Sequence, residues 1–398
     1  MPLANGRSYL AIPGPSVVPD AVLRAMHRAA PNIYEGELPD MMPGIVADLK
    51  RVARTDHFAA IYMGNGHAAW EAALANTLAA GDRVLLLATG FFAHGWAQVA
   101  KARGIEVDTL DFGNGGPVDA GRVTEALRQD KAHQIKAVLA VHVDTSSSNR
   151  NAFAPLRAVL DDLEHPALLI ADCIAGMGCD RFEMDASGVD VAITASQKGL
   201  MCPPGLGFVF FNDRAAAARR AQARVSAYWD WTPRAEPQAF WQYSGGTAPT
   251  HHLYGLRAAL NMIHAEGMEA IWARHAALAR AIWAAVEHWG QSGPMRLNIA
   301  DPSLRSHAVT AIHIGKPHGT ALRRWCEERA GVTLGIGLGL GTEDDPQSEG
   351  VFRIGHMGHV NAHMVLGVLG VIEAGLAALA IPHRPGGVAA AAQAIAAA

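Results

Sequence analysis

Cysteine is scarce, with four in 398 residues. Cys173, Cys179, Cys202 and Cys326 lack the spacing of a zinc site and do not make a disulfide framework in a chain of this size. That usage fits a reducing, cytoplasmic home. Charge of one sign is lacking too: 33 basic against 37 acidic residues leave a formal charge of −4. With no positive excess there is no electrostatic footprint for nucleic acid or for an anionic membrane surface. Small-molecule chemistry becomes the working expectation. No run of about 18 uncharged apolar residues occurs, and the opening "MPLANGRSYLAIPGPS" has no apolar segment of signal-peptide length. The expectation is a soluble, unexported protein. A hydrophobic content of 50% with 18% charged residues excludes a disordered chain. Lysine is scarce as well, only six residues, so each position carries information.

What is present is a succession of short apolar runs. From Phe58 to Phe211, "FAAIYMG", "RVLLLATG", "KAVLAVHV", "ALLIADCI", "VDVAITA" and "GFVFF" alternate with stretches of helical spacing. Runs of that length, rich in β-branched residues, predict an α/β layer built on a mostly parallel sheet with helices on both faces. After Leu256 the chain turns Ala-rich and helical, with an interruption near Gly267. "HAVTAIHIG" and "VFRIGHMG" then alternate with helices, as in a smaller α+β C-terminal domain. The division expected is 1–264 for the large domain with its N-terminal segment, 265–385 for the small domain, and 386–398 for an Ala-rich tail, either a frayed helix or disorder.

Five short stretches carry candidate chemistry. In "ITASQKGLMCPPGLGF", Lys198 stands at the mouth of a buried strand, where partial desolvation lowers an ammonium's pKa and makes it a nucleophile toward aldehydes. A lysine snorkelling from a strand end would read the same way. Asp172 ends the apolar run "ALLIAD", and a buried acid needs a partner, either a pyridinium nitrogen or the start of the next helix. Gly64-Asn65-Gly66-His67 stands between a strand and a helix, where free backbone N–H groups would suit a phosphate, though such turns also serve only as turns. Thr145 to Ser148, four successive hydroxyls, would bind a cofactor oxygen or cap a helix. Arg353, in "VFRIGHMG", would clamp a carboxylate with its two-pronged guanidinium or make a structural ion pair.

Taken together these segments resemble the class V aminotransferases of the fold type I pyridoxal phosphate enzymes, specifically the alanine–glyoxylate and serine–glyoxylate group. The likeness runs from "IPGPSVVPDAVLRAM" to "FRIGHMG", and its most specific pieces are "SQKGLMCPPGLG", "WEAALANTLAAGDRVL" and "DKAHQIKAVLAVH". The resemblance implies that Lys198 holds pyridoxal 5'-phosphate as an internal aldimine and shuttles a proton once released. By the same likeness Asp172 pairs with the ring nitrogen, and Gln197, Gly66 and His67 cradle the phosphate. Thr145 meets the ring hydroxyl, Phe92 stacks on one ring face, and Ile174 lies beneath the other. Thr247, before "LYGLR", reaches the phosphate of a neighbouring subunit, which implies a homodimer with shared active sites. Arg353 binds the α-carboxylate of amino and 2-oxo acid substrates.

The expected reaction is ping-pong transamination from serine or alanine to glyoxylate. Three departures bear on it. "NIYEGELPD", with Tyr34, Glu35 and Glu37, is similar to the pyridoxamine–pyruvate branch, which would place Tyr34 near substrate. The loop after His142 reads Asp144-Thr145-Ser146-Ser147-Ser148 where relatives carry a glycine, so a different backbone path is expected. The spacing from Tyr243 to Thr247 is one residue longer than expected. An aromatic-rich stretch from Tyr228 to Tyr243 either walls the substrate pocket or lies at a dimer interface. An unusual donor such as pyridoxamine or ureidoglycine, lyase chemistry, and a non-catalytic binding role are the alternatives.

Overall fold

The central strands of the larger sheet bury both of their faces. Leu168–Asp172 and Val191–Ala195 are buried throughout. Odd and even residues enter different cores: Val138, Ala140, Leu169 and Ala171 pack on one side, Ala137, Leu139, Leu168 and Ile170 on the other. A strand covered on both faces reads as a continuous apolar run, which is why these segments show no polar alternation. The structure, a computed structural model, describes residues 3–398.

This sheet has seven strands in the order Phe58–Gly64, Gly205–Phe211, Val191–Ala195, Leu168–Asp172, Ile135–Val141, Arg83–Ala88, Glu106–Asp111. Only Gly205–Phe211 runs against the rest, pairing antiparallel with both neighbours. All other pairings are parallel. The carboxyl ends of six strands therefore open on one edge, and that edge is where loops of an open α/β sheet collect ligand-binding groups.

A second sheet has five strands, ordered Tyr9–Ala11, Val332–Ile336, Val351–Gly355, Val309–His313, Arg296–Leu297. The helices Met268–Gly290 and Ala362–Ala378 share a core with it that includes Trp289, Phe352, Leu369 and Ile372. The helical stretch after Leu256 is two helices, Thr250–Glu266 and Met268–Gly290, separated at Gly267, whose φ of +86° suits glycine.

Two details depart from the expected division. Tyr9–Ala11, counted with residues 1–264, pairs in parallel with Val332–Ile336 of the second sheet. The Ala-rich tail is ordered: Gly387–Ala396 is a helix, and Ala391 is fully buried in the core that holds Trp289. Alanine is the best helix former, and its small side chain lets the two helices approach closely. Among the described residues no helix is long and apolar enough to cross a membrane, and no cluster of three or more His, Cys, Asp or Glu side chains could hold a metal ion.

Candidate active site

Five loops, each following the carboxyl end of a strand that runs in the sheet's main direction, meet around one cavity of about 170 Å³. Asn65, Gly66 and His67 follow Phe58–Gly64, and Phe92 follows Arg83–Ala88. Val143 and Thr145 follow Ile135–Val141, Asp172 and Ile174 end Leu168–Asp172, and Gln197 and Lys198 follow Val191–Ala195. Eight residues named from the sequence thus line the same space: Gly66, His67, Phe92, Thr145, Asp172, Ile174, Gln197 and Lys198.

Lys198 sits in a turn immediately past Val191–Ala195. Burial, reinforced by the nearby Arg353 charge and opposed by Asp172, pulls its amine from the usual 10.5 down to about 8. The amine donates to the carbonyl of Pro13. Asp172 is only 3% exposed, and burial pushes its carboxyl up to about 7. Two neutral donors hold it: the Trp70 indole Nε1 at 2.7 Å and the Ile174 backbone N–H at 2.8 Å. No cation lies within ion-pair distance of it among the described residues. A buried carboxylate without a countercharge is a poor arrangement by itself and a good one for a ring cation. Trp70 is a residue the sequence reading missed, although it lies three positions after His67 on the helix Gly66–Thr77, the spacing that places two side chains on one face. Their rings are in contact, with centroids 4.5 Å apart.

The residues present fit a pyridoxal phosphate. The Gln197 side-chain oxygen is buried without a hydrogen-bond partner. Gly66 lies so close to Ile174 that a Cβ there would strike its side chain and displace the terminal methyl. An amine for an aldehyde, an acid for a ring nitrogen, apolar side chains for a flat ring and a donor unpaired among the described residues, the Gly66 N–H, for a phosphate oxygen are all within one cavity.

Arg353 reaches toward this cavity from the second sheet. Its Nη1 donates to the Thr145 carbonyl and its Nε to the Ile336 carbonyl, both at 2.6 Å, while Nη2 has no protein acceptor among the described residues. Burial lowers its pKa to about 10. The loop beside it is a hairpin, Val143–Asp144 against Asn149–Arg150. Asp144, missed as a structural element from the sequence, is fully buried and caps the helix Phe91–Ala102, accepting from the Phe92 and Ala93 backbone N–H groups at 2.9 and 3.3 Å. Ser148, at the position where glycine was expected, adopts φ +61°. That left-handed backbone costs a serine about 1 kcal/mol. Its hydroxyl offsets this by accepting from Ala311 N–H of the second sheet at 2.7 Å.

One expectation meets a different arrangement, and three other stretches lie away from the lining of this cavity. The N–H groups of His67 and Ala68 are not free for a phosphate: the Asn65 side chain accepts from both, at 3.0 and 3.4 Å, as a helix cap. The Gly66 N–H has no protein partner among the described residues. Tyr34 is 89% exposed and is not among the residues that line this cavity. Thr247 is exposed as well, in the loop after the turn Phe240–Tyr243. In the aromatic stretch, Trp231 stacks on Phe211 at 4.1 Å and Trp229 lies 5.8 Å from Tyr62, both against the core under the sheet edge, while Trp241 is exposed.

Comparison with known proteins supplies the family. The family model described as aminotransferase class-V matches residues 52–355. The chain is 36% identical over 395 residues to a serine–glyoxylate aminotransferase of Methylorubrum extorquens, covering 97% of this chain and 95% of that one. It is 35% identical to a serine–glyoxylate aminotransferase of Arabidopsis thaliana, covering 92% of this chain and 90% of the other. Its fold is similar to the crystal structure of pyridoxamine–pyruvate aminotransferase from Mesorhizobium loti, with a TM-score of 0.88, 25% identity and full coverage of both chains.

Proposed function

The chain belongs to the class-V aminotransferases, and from that premise we propose that it moves the amino group of a small amino acid, serine or alanine first, to glyoxylate by a ping-pong route. The fold is that of the fold type I enzymes, and pyridoxal 5'-phosphate is the cofactor that the family implies. When bound it supplies an aldehyde for amines and a ring that withdraws electrons from the bonds at Cα. The observation that carries the reading is the meeting of Lys198, Asp172 and the phosphate-side residues in one cavity, with Arg353 reaching over from the second sheet.

In this reading the Lys198 Nζ, partly neutral near pH 8, would hold the cofactor through its aldehyde and would take and return the proton at the substrate Cα. The Asp172 carboxylate would pair with the ring nitrogen and keep it protonated. Phe92 and Ile174 would exclude water from the ring faces. Thr145 would hold the ring hydroxyl, while Gln197, the Gly66 N–H and the His67 side chain, its backbone N–H being taken by Asn65, would hold the phosphate. Arg353 takes the substrate carboxylate with Nη2, its other nitrogens being fixed on the Thr145 and Ile336 carbonyls. Thr247, exposed in this chain, would reach the phosphate of a partner subunit in a homodimer. Four free, buried cysteines suit a cytoplasmic enzyme.

Arg353→Ala is expected to raise the amino-donor KM about a hundredfold, the scale of losing a charge-assisted pair, with a smaller change in kcat. Arg353→Lys, which keeps the charge and loses the fork, should recover part of that loss. Steady-state kinetics at saturating glyoxylate check both.

A second reading has pyridoxamine as donor. Tyr34, Glu35 and the full-length likeness to the Mesorhizobium loti structure favour it. One experiment separates the two: incubate the holoenzyme with a panel of amines and watch the cofactor absorbance, then add glyoxylate or pyruvate. Conversion by serine or alanine supports the first reading. Exclusive response to pyridoxamine replaces it with the second.

A further inference from the structure

The strand Tyr9–Ala11 belongs to the second sheet, and the chain that leaves it runs straight to Lys198. Ile12 and Pro13 are packed against Gly355 and Gly335, so closely that a Cβ at either glycine would strike them. Gly355 closes the strand that carries Arg353, and Gly335 is the cross-strand partner of Arg353 itself. The Pro13 carbonyl accepts from the Lys198 amine. Gly14 lies against the Lys198 side chain, leaving no room for a Cβ. Ser16 completes the contact: its hydroxyl donates to the Lys198 carbonyl and its backbone N–H to the Gln197 carbonyl, both at 2.8 Å.

We propose that residues 12–16 form a positioning strap through which the strand of the carboxylate clamp sets the direction of the Lys198 amine. The proposal rests on the reading of Lys198 as the cofactor lysine. The strap begins in the second sheet, presses on the strand that carries Arg353 and on its neighbour Val332–Ile336, and ends with three hydrogen bonds on Gln197 and Lys198. A shift of the clamp strand is therefore passed to the amine through residues that are not themselves part of the cavity lining. Ser16 acts through Lys198 and touches no substrate.

Ser16→Ala tests this, because it removes the hydroxyl donor and leaves the backbone bond to Gln197. In the cofactor-free protein, acylation of Lys198 by acetic anhydride is followed by peptide mass spectrometry, with the exposed Lys101 and Lys136 as internal references. Labelling of Lys198 should be about fivefold faster in Ser16→Ala, the scale of one lost hydrogen bond. In the holoenzyme, kcat should fall about tenfold, the kind of loss a displaced reacting group produces, with the donor KM within about twofold. Ser16→Thr, which keeps a hydroxyl, should behave as the native protein. Wild-type labelling in Ser16→Ala overturns the strap, and faster labelling with an unchanged kcat overturns its bearing on the reaction. Neither result touches the Lys198 reading, which falls only if Lys198→Ala still turns over.

Discussion

Lys198→Ala is expected to lose turnover and the absorbance of bound cofactor together. The loss should be at least about 10⁴-fold in kcat, because the nucleophile and the proton carrier are the same Nζ atom. Folding should survive. The side chain makes one hydrogen bond, to Pro13, and its removal relieves a buried amine of its desolvation penalty. The melting temperature of the cofactor-free variant should accordingly stay within a few degrees of the native one. The amine also sets a pH dependence. Its pKa of about 8 against the ordinary 10.5 leaves about 300-fold more neutral amine below pH 8 than a free lysine has. Capture of added cofactor by the native apoprotein should therefore quicken as pH rises through about 8 and then level off. Arg353→Ala, which removes the positive charge that after burial does most to lower the Lys198 pKa, should move this midpoint upward. Retention of the absorbance in Lys198→Ala would remove the chemical basis of the proposed reaction.

The second large effect is expected at Asp172. Asp172→Asn should lower kcat by about 10²–10³-fold, the range seen when one charged stabiliser of a developing charge is removed, while cofactor remains bound through Lys198. The amide is nearly the same size as the carboxyl, and its oxygen can still accept from Trp70 or Ile174. Stability separates this from a folding defect. Burial raises the Asp172 carboxyl from 3.8 to about 7, so in the cofactor-free protein the folded state binds a proton more tightly than the unfolded state. Stability from this group thus falls as pH rises from about 4 to about 7 and is flat above that. The asparagine variant has no such group, and its unfolding midpoint should show less of that decline. An unaltered kcat in Asp172→Asn would rule out a role for the acid at the ring nitrogen.

Particular residues show why some of the site could be read in advance. Lys198, Asp172 and Gly66 each stand at the end of an apolar run, and local patterning marks such ends without any knowledge of topology. The fold class was legible for the same reason, since strands buried on both sides leave unbroken apolar runs. Trp70 gave a usable signal, its three-residue spacing from His67 on a helix, that was not taken up. Asn65 was read as part of a free phosphate turn, yet an asparagine directly before a helix is also a favoured cap, and the cap prevails in this structure. Ser148 shows a limit of composition: absence of glycine suggested an altered loop, whereas the serine accepts the left-handed backbone and bonds across to Ala311.

From its residues alone the chain determined which segments become strands, where they end, and which chemical groups stand at those ends, because periodicity and desolvation act over a few neighbouring positions. Only tertiary structure decided that Tyr9–Ala11 joins the far sheet, that Pro13 and Ser16 lie against Lys198, and that Arg353 is anchored on Thr145. Those contacts join positions from 182 to 323 residues apart along the chain. They depend on how two sheets dock, and no local pattern carries that information.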